Sequence, residues 1–264
     1  MIRFLKAPLR AAVLAGIVLL AAPCIHARAD YSVQIYDDGV LQSGITALVS
    51  GNALLFVGST SHFSITNGSG LSNNPGTDGG SNLNLSSNEQ ISTTFGATGG
   101  THTIEIVLSQ TGWTAPGGSV LNLTSSAGGS IAYQSGTNPN ATDSVSASYQ
   151  GFLDNTNSLF GQPAGASTPL QTASASLGAP GTAALVFSPS TVTTQVPGGT
   201  PFSMTDVLTF TFTLSAGSGQ DTANVSASTV AALPEPSSMM AAFAAMPFLA
   251  IGAWLRRRKQ VAIA

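Results

Sequence analysis

The chain has 264 residues with a single cysteine, and only 7% of its residues are charged. All eight Lys and Arg residues are terminal: Arg3, Lys6, Arg10 and Arg28 at one end, Arg256, Arg257, Arg258 and Lys259 at the other. Ten of the eleven acidic residues fall between Asp30 and Asp221, so the middle carries about −10 with nothing to neutralise it, which makes nucleic acid and anionic lipid poor partners for it.

Met1 to Ala29 has the parts of a secretory signal: basic Arg3, Lys6 and Arg10, an apolar run from Ala11 to Ala22, and small residues at Ala27 and Ala29. The run is shorter than the roughly 20 residues a spanning helix needs, so residues 1–29 read as a cleaved signal helix rather than an anchor. Cleavage after Ala29 leaves Asp30 as the new N-terminus. It also removes Cys24, so the mature chain has no disulfide, thiol nucleophile or thiolate metal ligand.

Residues 30–233 form a domain dominated by Gly, Ser, Thr, Asn and Ala, with apolar residues at strand periodicity. Asp37-Asp38-Gly39 reads as a solvated turn, and His62, in a Ser/Thr-rich stretch, as an exposed loop residue. Asn73 to Asn82, which contains Asp78, offers oxygens to calcium but lacks EF-hand spacing, and reads as a turn. His102 shares the parity of Ile104 and Ile106, which makes it a core or edge residue rather than a ligand. Leu121 and Leu123, Ile131 and Tyr133, and Val145, Ala147 and Tyr149 alternate in the same way. Every Gly-Gly pair, at 79, 99, 117, 128 and 198, is followed by Ser or Thr and reads as a tight turn before a strand. Gly161 to Gly181 is either a long loop or a boundary between two sub-sheets.

The clearest strand is Phe202 to Leu214. Phe202, Met204, Leu208, Phe210, Phe212 and Leu214 share one parity, and Thr205, Thr209, Thr211 and Thr213 the other, giving one apolar and one hydroxyl face. Asp206 and Val207 interrupt the pattern and suggest a bulge or short turn. Thr209, Thr211 and Thr213 are a single hydroxyl row, as any half-exposed strand carries. With helical periodicity missing from the interior, the fold class expected is an all-β sandwich ectodomain, jelly-roll or immunoglobulin-like.

The domain shows no Gly-x-Ser-x-Gly elbow and no His-Glu-x-x-His motif, so no catalytic residue, metal site or cofactor is assigned. Trp113, with Tyr133 and Tyr149, is the candidate for stacking on sugar rings.

After Leu233 come Pro234-Glu235-Pro236, Ser237 and Ser238, a mostly apolar run from Met239 to Leu255, and Arg256-Arg257-Arg258-Lys259. Seventeen residues at 1.5 Å each give about 25 Å of helix, at the short end of a bilayer span. The basic cluster halts transfer and holds its end in the cytoplasm. Two prolines keep the preceding backbone extended and open to a processing enzyme. Tripeptide, span and basic cluster together resemble the PEP-CTERM sorting signal of Gram-negative bacteria that make exopolysaccharide. The resemblance covers residues 234–259, with 260–264 a featureless tail. The Ala- and Met-rich span departs from the family's Leu- and Gly-rich one. The same C-terminal region also goes under the name of ice-binding proteins, an address that says nothing of the β domain.

The resemblance implies processing by exosortase after passage through the secretion machinery. The inner-membrane precursor then reaches the cell surface or matrix, in association with exopolysaccharide in a biofilm. A non-enzymatic surface protein is thus the leading expectation. A carbohydrate-binding module is the alternative, with a secreted hydrolase or an ice-binding protein behind it.

Overall fold

The computed structural model describes residues 29–74, 82–114, 120–134, 136–138, 142–178, 180–195 and 201–232. Ala27, the sorting tripeptide, the apolar C-terminal run and the basic cluster lie outside the described residues. So do residues 75–81 of the Asn73 to Asn82 stretch.

In chain order the strands are β1 (Tyr31–Asp37), β2 (Val40–Leu41), β3 (Ile45–Ser50), β4 (Ala53–Ser59), β5 (Phe63–Ser72), β6 (Asn82–Thr93) and β7 (Gly100–Trp113). There follow β8 (Val120–Tyr133), β9 (Asp143–Asp154), β10 (Gln171–Leu177), β11 (Gly181–Val186), β12 (Ser190–Gln195), β13 (Phe202–Leu214) and β14 (Asp221–Ala232). No helix occurs among the described residues. One sheet, A, has the order β10-β9-β13-β7-β1-β2; the other, B, runs β11-β8-β14-β6-β5-β4-β3, with β12 pairing β8 beyond the end of β11. Every pairing is antiparallel.

The inner faces of both sheets contribute to one hydrophobic cluster, so this is one sandwich rather than two sub-domains. Phe63 of sheet B meets Phe212 of sheet A at 5.6 Å between ring centroids, and Phe95 packs edge-on to Phe63 at 5.9 Å. Burial of side chains this large contributes about 1.5–3 kcal/mol each, and the alternating pattern delivers one from every second residue. Leu54, Phe56, Ile91, Ile104, Phe210 and Phe212 are all essentially inaccessible.

Three sequence expectations are corrected here. The register of β13 with β9 runs unbroken through Asp206, opposite Gly151, and Asp206 also pairs Leu108 on β7. Its carboxyl therefore points inward with the apolar set, and the β13 irregularity lies instead between Phe202 and Met204. Gly128-Gly129 is not a turn: it lies inside β8, where a side chain on Gly129 would strike the Asn224 carbonyl and Val225 of β14. The Gly161 to Gly181 stretch is not one long loop, because β10 occupies its second half and β11 begins at its end. The chain there crosses from the edge of sheet A to the edge of sheet B.

Asp206 and Glu89 of β6 are both buried between the sheets, in a segment with no Lys or Arg to pair with them. Loss of water pushes Glu89 up to about 8, with Asp206 adding to the effect and the Ser87 hydroxyl opposing it. Burial likewise pushes Asp206 up to about 7; the Tyr149 and Thr229 hydroxyls, which bond each other at 2.8 Å, face it and offset part of the rise. Asp221 reaches about 7 through burial and the nearby Asp143. The folded state thus keeps protons that the unfolded chain gives up near pH 4. The contribution of these three groups is full below about pH 4 and is lost as pH rises through about 8, so the melting temperature should fall between about pH 5 and about pH 9. Glu89→Gln should flatten that decline; a melting temperature that rises over this interval would contradict the assignment.

Candidate functional site

The outer face of sheet A is an array of hydroxyls. Strand register aligns Ser176, Ser144, Thr213 and Thr101 in one row, and Ser174, Ser146, Thr211 and Thr103 in the next. A third row is Thr172, Ser148, Thr209 and Glu105. Neighbours along a row are about 4.8 Å apart and rows about 6.8 Å apart, from strand geometry. The Thr101 and Thr213 hydroxyls bond at 3.0 Å, and so do those of Thr103 and Thr211. A shallow groove of about 490 Å³ runs over Ser146, Ser148, Thr172, Ser174, Thr209 and Thr211, with exposed Val186 on its rim. The Thr209, Thr211, Thr213 row is therefore not the single row that the sequence suggested. Period-two serines in β9 were visible in the sequence, but their alignment with β13 is fixed only by register.

A second cluster closes one end of the sandwich. Asp38 and Gly39 form the turn between β1 and β2 with φ of 50° and 78°, a left-handed pair suited to a two-residue hairpin. The Asp38 amide donates to the Thr103 carbonyl, and the Thr103 amide donates to Asp38 Oδ1, both at 2.8 Å. Asp38 Oδ2 is left facing His102 Nδ1 at 2.7 Å and His62 Nδ1 at 3.6 Å. Asp37, buried at the end of β1, holds His62 twice: its Oδ2 accepts from the His62 amide at 3.0 Å and its Oδ1 lies 2.9 Å from Nδ1.

The two imidazoles stack at 3.5 Å between centroids and 15° between planes, with Phe95 edge-on to both. Partial desolvation raises the Asp38 carboxyl, but hydrogen bonds from His102 and Thr103 and the nearness of His62 outweigh it and hold Asp38 below its ordinary value. His62 is thus half-buried and tied to two aspartates rather than a free loop residue, because the β4 to β5 turn folds over the end of β1. His102 stands at the rim of the core, as its parity implied. Asp37-Asp38-Gly39 is a turn, yet its first carboxylate is buried, not solvated.

Trp113 is 0% exposed, and its indole N–H donates to the Gln110 carbonyl at 3.0 Å. It therefore offers no face to a sugar, and Tyr133 and Tyr149 are buried as well. Position alone explains this: Trp113 ends β7 opposite Phe202 and caps the core. Of the signal cleavage residues, Ala29 is described, and next to it the Asp30 amide donates to the Thr111 hydroxyl at 3.0 Å.

No protein-family model and no curated protein matches the sequence. Among solved structures, the chain is 7% identical to TmCBM27, a carbohydrate-binding module for mannan recognition, covering 79% of this chain and 100% of that one at a TM-score of 0.22. An adhesin domain of Lys-gingipain from Porphyromonas gingivalis is 11% identical, covering 77% and 99% at a TM-score of 0.21. The chain spans only 19% of a bacteriophage CBA120 tailspike domain, at 13% identity and a TM-score of 0.19 over 63% of its own length. Likewise it spans 25% of a Clostridium thermocellum xylanase fragment, at 10% identity and a TM-score of 0.18 over 64% of its own length. Scores at this level do not establish a shared fold, and what those proteins bind is a property of theirs.

Trp113→Ala should lower unfolding free energy by about 3–5 kcal/mol, the cost of an emptied core site. Denaturant titration measures it. A loss under about 1 kcal/mol would mean that the indole is not packed as described.

Proposed function

We propose that the protein is an exported, non-enzymatic surface or matrix protein, sorted by exosortase and associated with exopolysaccharide. The feature that carries this reading is the order of signals in the sequence: the basic, apolar and small-residue start of residues 1–29 at one end, and Pro234-Glu235-Pro236, an apolar run and Arg256 to Lys259 at the other. Among the described residues the first strand begins at Tyr31, two residues after Ala29, and the last ends at Ala232, two residues before Pro234. Cleavage at either expected site would cut none of the described strands. In this reading Arg256, Arg257, Arg258 and Lys259 hold the precursor in the inner membrane until cleavage near Pro234-Glu235-Pro236 releases the domain. Replacing that tripeptide with three alanines leaves span and basic cluster intact. Intact-mass and fractionation measurements in the native host should find the wild-type chain without its tail and outside the inner membrane, and the alanine variant full-length within it. A wild-type chain that keeps its C-terminus in the inner membrane would sink the sorting proposal.

The hydroxyl groove favours the second reading, a carbohydrate-binding module, and replaces Trp113 as its contact surface. A nearly uncharged face of Ser and Thr matches a neutral polyhydroxyl polymer in donors and acceptors. Each exchange with water gains little, so binding is weak per site and accumulates along a long chain. Strand twist of about 20–25° per neighbour curves the rows, which suits a flexible polymer better than a flat ice plane. Alternation of β6 to β9 between the sheets favours the jelly-roll over the immunoglobulin-like form. Ser146→Lys with Thr211→Lys should abolish retention on the host exopolysaccharide while leaving the melting temperature within a few degrees. Unchanged retention would exclude this face.

A further inference from the structure

We propose that Asp38, His62 and His102 form a binding site for one divalent first-row transition-metal ion of the zinc class, placed where the two sheets meet. The three residues each offer one donor atom, and those atoms lie within 4.8 Å of one another. Two imidazole nitrogens and one carboxylate oxygen suit zinc and its neighbours, whereas calcium takes oxygen alone. The set leaves room for water as a further ligand.

The surroundings are those a metal site needs. Asp37 grips His62 at both its amide and its ring, and Thr103 fixes Asp38 at both its amide and Oδ1. Carboxylates and backbone groups in this outer position orient ligands and sustain affinity. Phe95, and Phe63 beside His62, wall the rings on the apolar side, while the His62 and His102 side chains stay 30% and 23% exposed as a path for entry. No Lys or Arg in the segment competes for Asp37 or Asp38. Among the described residues, these two carboxylates and two histidines are the titratable groups that meet here.

The ring arrangement sets a condition. Imidazole lone pairs lie in the ring planes, and two planes only 15° from parallel do not aim at a common point. An ion bound to both rings must open the stack, replacing the contact between His102 Nδ1 and Asp38 Oδ2. It would then tie His62, on the β4 to β5 turn of sheet B, to Asp38 and His102 of sheet A, and so cross-link the sandwich at this end. Ligand binding to the native state alone raises the melting temperature.

The test uses the exported mature protein, purified without a polyhistidine tag and stripped with chelator, then titrated with zinc chloride. Calorimetry should give one saturable site per chain, the ring resonances of both histidines should move together in nitrogen-edited NMR, and the melting temperature should rise. His62→Ala and His102→Ala should each remove saturable binding, and Asp37→Asn should weaken it about 10-fold. Absence of a saturable site, or equal binding by the alanine variants, overturns the proposal. If a variant fails to fold, the wild-type spectrum decides: histidine resonances unmoved at saturating zinc mean that the ion sits on surface carboxylates only, which also overturns it.

Discussion

A carboxylate removed from water must be met by a countercharge, a hydrogen-bond donor or a proton, and this sandwich contains neither Lys nor Arg to supply the first. Glu89 and Asp206, deep between the sheets, accept no hydrogen bond from the described residues at their carboxyl oxygens and are left with protons. Asp37 and Asp38, at the end of β1, have the only two histidines of the domain. The same shortage shapes the exterior. The outer face of sheet A relies on Ser and Thr, whereas β3 to β5 of sheet B expose Leu48, Val49, Leu55, Val57 and Leu71, and the edge strand β3 has none of the lysines that commonly guard such edges.

Both candidate sites stand on the same scaffold but use it differently. The hydroxyl rows exploit the repeat of the sheet, so that no single residue is decisive and the face acts through its extent. The histidine end is a singular junction of a hairpin turn, a strand end and a turn from the opposite sheet. Its residues are held by backbone contacts that extended strands alone would not provide.

Much of the fold was legible in the sequence because strand parity is a local signal. Phe202 to Leu214 displays it in full, and the same parity puts His102 at the core margin. Asp206 was misread because a charged residue in an apolar register looks like an interruption, although register had already fixed its direction. Trp113 was a reasonable surface candidate only while nothing placed it at the end of β7 against Phe202. The histidine cluster was not legible. His62 and Asp37 are 25 positions apart, and His102 and Asp38 are 64 apart. Their meeting depends on how β1 pairs with β7 and how the β4 to β5 turn folds, neither of which a linear pattern encodes.

Strand β14 lies in the interior of sheet B, laddered to β6 on one side and β8 on the other along nearly its whole length. It is also the strand from which the chain leaves toward its C-terminal segment. A pull applied through that segment acts along the strand axis, perpendicular to the hydrogen bonds of both ladders, and loads them all at once in shear. An edge strand in the same place would unzip one bond at a time. The order of strands in the sheet therefore makes the C-terminal exit a mechanically strong end of the domain.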